Sequence, residues 1–143
     1  MLDTSFDNVQ TILIWLASVA LGSGLGGAAR FFVSGFVARR IGETFPWGTM
    51  TVNVSGAFAI GIIAAAASRH AVFDMPDTWQ FGVVGVLGSY TTASSLSLQT
   101  LALARDGDYL RAGANMLLSL TLCLSAVALG FAAASAAIGL GAR

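Results

Sequence analysis

The sequence predicts an all-α membrane protein of four transmembrane helices with a broken third helix, and three observations predict it. Of 143 residues, 56% are hydrophobic and only 10% charged, with a mean hydropathy of +0.79. Soluble domains carry about 25% charged residues, so such a chain belongs in a bilayer. The charges cluster between apolar runs long enough to cross a hydrocarbon core, which takes about 20 residues. The third observation is the segment Trp79–Ala104, which has no charge at all, yet seven of the twelve residues from Ser89 to Thr100 are Ser or Thr.

The first helix is expected over about 9–36. Residues 1–9 carry Asp3 and Asp7 and no positive charge, so this apolar run reads as a retained span and not as a cleaved leader. Its middle, Gly22-Ser-Gly24-Leu-Gly26-Gly27, formally matches a GxGxxG nucleotide fingerprint. No strand precedes it and no βαβ unit follows, so close helix packing through Gly22 and Gly26 is the expected role. Arg30 lies about two turns before the end of the helix. A cation there either snorkels to the headgroups or faces an aqueous vestibule where it attracts an anion.

The interfacial cluster Arg39, Arg40 and Glu43 separates this helix from a second, expected over about 46–68 and opened by Pro46. Thr49, Asn53 and Gly56 fall at i, i+4 and i+7 and share a face. Asn53 carries two donors and two lone pairs, which in a membrane must meet either another helix or a permeating species.

Arg69, His70, Asp74 and Asp77 mark the next loop, with Asp77-Thr-Trp-Gln80 resembling a capping box. The third segment, expected over about 78–104, has glycines at 82, 85 and 88 followed by the hydroxyl run. Hydroxyls are costly in hydrocarbon unless paired, so they must face protein or a wet path. Two readings stand: a small-residue helix bonding back on itself, or a helix interrupted near Gly88-Ser89 whose freed backbone groups make an ion site. Asp106-Gly107-Asp108 then turns the chain, with Asp108 as N-cap of a fourth helix over about 109–137. Asn115, Ser119, Leu122 and Ala126 are expected on one side of it.

Composition also excludes functions. All seven cations are scattered arginines, so no basic tract exists for nucleic acid. The lone Cys123 sits in an apolar run and reads as a small buried residue. No nucleophile–base pair, metal cluster or phosphate cradle is discernible, so no enzyme activity is expected. Across the four crossings the arginines divide two against four, a weak bias that permits insertion either way up.

Three motifs carry a family resemblance: Gly27-Ala-Ala-Arg30, Phe45-Pro-Trp-Gly-Thr-Met-Thr-Val-Asn53 and Gly88-Ser-Tyr-Thr91-Thr92. With them the chain resembles the Fluc (CrcB) fluoride channels over essentially all of residues 15–135. The resemblance implies a dual-topology antiparallel homodimer in the cell inner or plasma membrane, with two pores exporting cytoplasmic fluoride passively. It implies a structural sodium ion, not transported, held at the dimer centre by backbone carbonyls at Gly88 and Thr91. By the same matching Arg30 lines the vestibule and Asn53 the pore, and Ser94, Ser95 and Ser119 continue a polar track. The partners implied are fluoride, membrane lipid and a second copy of the chain, with no nucleic acid.

The chain departs from the family in four places. The usual third-helix pattern after the two threonines is Phe-Ser-Thr-Phe-Ser, whose two rings line the pores, and here those positions are Ala93 and Leu96. Ring edges are electropositive and favour an anion, which Ala and Leu cannot do. A glutamate expected slightly later is Gln99, and a fourth-helix pore tyrosine is Asn115. Two alternatives to the homomeric channel follow: a heteromeric channel needing a phenylalanine-bearing paralogue, or a non-conducting structural membrane protein.

Overall fold

The computed structural model describes residues 3–42, 44–67 and 76–139, and these are helical nearly throughout, with no strand among them. Glu43, Arg69, His70, Asp74, Arg143 and the side chain of Asp77 lie outside the described residues. Helix α1 covers Asp3–Ile41, against an expected 9–36. At 1.5 Å per residue its 39 residues span about 58 Å, well beyond a hydrocarbon core of about 30 Å. Gly42 ends it with φ at 101°, a conformation that costs a residue without Cβ little, and its N–H donates to the Ala38 carbonyl at 2.8 Å.

Helix α2 covers Trp47–Ala67 and follows directly on Pro46, whose carbonyl accepts from Met50 N at 3.1 Å. The chain from Pro76 to Arg105 is not one regular helix. A single turn α3 (Pro76–Trp79) runs into a π-helical stretch over Gln80–Leu87, followed by α4 (Gly88–Tyr90). Backbone at Thr91 and Thr92 is extended, and α5 (Ala93–Arg105) starts afresh. Asp106 to Asp108 turn the chain with Gly107 at φ 82°, and the Asp108 carboxylate accepts from Arg111 N at 3.2 Å to cap α6 (Tyr109–Ala137).

Two packings are the most extensive among these pieces. α2 lies along α6, the most extensive pairing, and α1 lies along the π-helical stretch. Small residues set both distances. A Cβ at Gly22 would collide with the Phe81 carbonyl, and one at Gly26 with that of Val86, whereas Gly24 and Gly27 face open space. Of the glycine-rich stretch, then, it is the GxxxG pair that serves close approach.

On α6 the residues facing inward are Ala112, Asn115, Ser119, Ala126 and Gly130. Leu122, expected with them, is 41% exposed, because beyond Ser119 the buried stripe passes straight to Ala126 and Gly130.

Most apolar side chains point outward, among them Phe31, Leu110 and Leu129. Lipid is the solvent such a surface requires. Among the described residues three helical stretches, Asn8–Ile41, Trp47–Ala67 and Tyr109–Ala137, are long and apolar enough to cross a membrane. The protein is therefore an all-α membrane protein.

Candidate functional site

The site grows from the two extended residues between α4 and α5. Thr91 has φ −80° and ψ 157°, and Thr92 has φ −152° and ψ 114°. The interruption thus falls three residues beyond Gly88-Ser89, where a glycine pattern pointed. Gly88 itself stays helical, its N–H bonded to carbonyls at Val83 and Gly85. Threonine is at home in extended backbone, since β-branching disfavours the helix.

Helix α2 holds this segment residue by residue. The Ser55 hydroxyl shares a hydrogen bond of 2.9 Å with the Tyr90 hydroxyl. Gly56 leaves room for the Thr91 methyl, which a Cβ there would strike. The Asn53 side chain pairs with Thr92 as a strand neighbour would. Its Nδ2 donates to the Thr92 carbonyl at 2.9 Å, and its Oδ1 accepts from the Thr92 N–H at 2.7 Å. Both polar groups of an extended residue, which in an apolar setting would cost about 1–3 kcal/mol each if unpaired, are thereby satisfied. The Thr92 hydroxyl caps α5, accepting from Ser95 N at 3.2 Å and bonding the hydroxyls of Ser94 and Ser95 at 3.1 Å.

Two cavities share Thr92 in their lining. One, of about 330 Å³, is lined by Arg30, Thr49, Thr92, Ser94 and Ser95 among others. Arg30 is half-buried there, and no ion pair to it is made among the described residues. Hydroxyls and one guanidinium form a donor set suited to an anion.

The other cavity, of about 700 Å³, is lined by Asn53, Thr91, Thr92, Ala93, Leu96, Ser119 and Cys123, together with aliphatic neighbours. Ser119 is 3% exposed, and its hydroxyl has no hydrogen-bond partner among the described residues. Cys123, expected as a buried apolar residue, is half-buried one turn beyond Ser119 and faces the same space.

The residues expected to form the ion path are thus partly gathered. Arg30, Ser94 and Ser95 border the first cavity, Asn53 and Ser119 the second, and Thr92 borders both. Thr92 was not singled out by sequence reasoning as a side chain of interest. Its N-cap position two residues before Ser94 was the available signal.

Gln99 and Asn115, the two other departures, behave differently. Gln99 borders a third cavity with Thr49 and Ser95, and its Oε1 is buried without a hydrogen-bond partner among the described residues. Asn115 is 1% exposed and donates from Nδ2 to the Thr100 Oγ1 at 2.8 Å, tying α6 to α5.

At Gly88 and Thr91 the hydrogen bonds suit a cation. In an unbroken helix the Gly88 carbonyl would accept from Thr92 N–H and that of Thr91 from Ser95 N–H. Both donors are engaged elsewhere, by Asn53 Oδ1 and Thr92 Oγ1. Carbonyl oxygens relieved of their helical donors are the ligands a hard cation such as sodium takes.

The CrcB-like protein family, Camphor Resistance (CrcB), matches residues 17–131. A protein of Rhodopseudomonas palustris (strain BisB18) named "Fluoride-specific ion channel FluC 2" is 66% identical over 127 residues, 88% of this chain and 97% of its own. A Bradyrhizobium diazoefficiens protein of the same name is 55% identical over 121 residues, covering 84% and 88%. The "Fluoride-specific ion channel FluC" of Paramagnetospirillum magneticum (strain AMB-1) is 48% identical over 124 residues, covering 86% and 97%.

Proposed function

The chain belongs to the CrcB-like family, a family of channels and not of enzymes, and we propose that it is a fluoride channel subunit exporting cytoplasmic fluoride passively. The observation that carries this reading is that Thr92 borders both the arginine-bearing cavity and the one lined by Ser119, whose hydroxyl has no hydrogen-bond partner among the described residues. Fluoride holds its water tightly, so entry to a low-dielectric path requires donors that replace the hydration shell. Arg30 attracts the ion at one mouth. The hydroxyls of Ser94 and Ser95 lead inward from it, and the remaining Nδ2 proton of Asn53 and the Ser119 hydroxyl take over beyond the interruption.

Pro76 to Arg105 is the third of four crossings, made in two halves, and two copies assemble antiparallel in the cell inner membrane. The outward apolar surface and the weak, two-against-four arginine bias support this arrangement. The Gly88 and Thr91 carbonyls would hold a structural sodium ion at the centre of the dimer. When bound, that ion would supply a fixed positive charge there.

A second reading is favoured by one observation: Ala93 and Leu96 both border the 700 Å³ cavity, so its wall is aliphatic where an aromatic pair would present positive edges. In that reading a paralogous subunit supplies the rings. The experiment is fluoride efflux from liposomes holding the purified chain, followed by a fluoride electrode, alone and with a co-expressed paralogue. Efflux from the homomer supports the first reading, efflux only from the pair supports the second, and none from either removes both.

A further inference from the structure

We propose that Asn53 and the Thr92 hydroxyl are positioning groups for the cation site. By engaging two amide protons, they release the Gly88 and Thr91 carbonyls from the helix. The inference rests on the sodium reading above and goes further, to which side chains create the site.

Backbone N–H groups in an apolar setting bond to whichever acceptor is at hand, and within a helix that acceptor is the carbonyl four residues back. At this interruption both N–H groups have a competing side-chain acceptor. The Thr92 N–H runs 2.7 Å to Asn53 Oδ1, across from α2, and the Ser95 N–H runs 3.2 Å to Thr92 Oγ1, its own helix cap. Their ordinary acceptors would be the carbonyls of Gly88 and Thr91. The two diversions therefore match, one for one, the two oxygens read as sodium ligands.

The Asn53 Nδ2 bond of 2.9 Å to the Thr92 carbonyl completes the arrangement, since it pairs the other polar group of the extended residue. Without these side chains, a helical path through residues 91 and 92 is the least costly way to satisfy the same donors. Both carbonyls then turn back into the helix and the cation loses its ligands. Asn53 consequently has two tasks. One Nδ2 proton and the oxygen hold the interruption, and the second proton faces the anion path.

Sodium that binds only the assembled state stabilises it by mass action, so the sodium dependence of thermal unfolding reads the site without reference to flux. The unfolding temperature of the detergent-solubilised parent is titrated with sodium chloride, N-methyl-D-glucamine chloride holding ionic strength constant. The same titration is run on Asn53→Ala, on Thr92→Val, which keeps the β-branched shape and loses the hydroxyl, and on Tyr90→Phe. The last breaks the tie to Ser55 and touches neither diverted N–H.

The expected result is a sodium midpoint raised at least tenfold in Asn53→Ala and Thr92→Val, with Tyr90→Phe within threefold of the parent. Should Asn53→Ala fail to assemble, Thr92→Val against Tyr90→Phe decides alone. A midpoint unchanged in either of the first two variants overturns the inference and leaves the sodium reading standing. A shift of equal size in Tyr90→Phe also overturns it, since general loosening then suffices. A parent indifferent to sodium removes the sodium reading and this inference together.

Discussion

Replacing Ser119 by alanine separates an anion-path hydroxyl from a structural one, because the two roles predict opposite signs for stability. The Ser119 side chain is 3% exposed and its hydroxyl has no hydrogen-bond partner among the described residues. A buried hydroxyl left unpaired costs about 1–3 kcal/mol, and alanine removes that cost while leaving a gap of one oxygen atom. Ser119→Ala is therefore expected to leave stability unchanged or to raise it by about 1 kcal/mol, a few degrees in unfolding temperature for a chain of this size.

Flux should move the other way. A hydrogen bond to a charged group is worth about 1.5–3 kcal/mol, and each 1.4 kcal/mol added to a barrier is about tenfold in rate. If the hydroxyl compensates fluoride at the barrier, efflux falls by about 10- to 100-fold. The assays are fluoride-electrode efflux from liposomes at matched protein density and thermal unfolding of the same preparation. A clear loss of stability would refute the reasoning, since the hydroxyl would then be bonded within the fold or across the dimer. Unchanged flux would remove Ser119 from the path.

Three further outcomes are expected. Ala93→Phe combined with Leu96→Phe should raise homomeric fluoride efflux by one to two orders of magnitude if the aliphatic wall limits conduction, and efflux blocked by the added rings would favour the hydroxyl track alone. Gly26→Val should lose at least about 1–3 kcal/mol of stability, because its Cβ would meet the Val86 carbonyl of a backbone that cannot move aside, and Gly27→Ala, facing open space, should be silent in the same unfolding assay. Asn115→Leu should cost about 1 kcal/mol in stability and change efflux less than threefold, since its Nδ2 serves Thr100 within the protomer, and a larger fall in flux would return Asn115 to the path.

Much of the molecule was legible in the chain because it follows from periods of a few residues. Apolar run lengths announced a membrane protein, and the Asp106-Gly107-Asp108 turn with its cap at Asp108 lay where local hydrogen bonding requires it. The GxxxG pair at Gly22 and Gly26 was likewise readable, since only small residues let backbones meet. Those features depend on neighbours in sequence. The place of the interruption does not.

Glycine spacing pointed to Gly88-Ser89, but the extended residues are Thr91 and Thr92, and nothing local to them makes that inevitable. Two polar backbone groups can leave a helix in an apolar setting only where other groups receive them. The receiving side chain, Asn53, lies 39 residues earlier, on a helix whose Gly56 also makes room for Thr91. Whether Ser119 is partnered, and which half of Asn53 is committed to Thr92, were likewise decided by how α2, α5 and α6 come together. A hydrogen bond between distant residues has no signature in the spacing of either one, so only the packed structure could fix it.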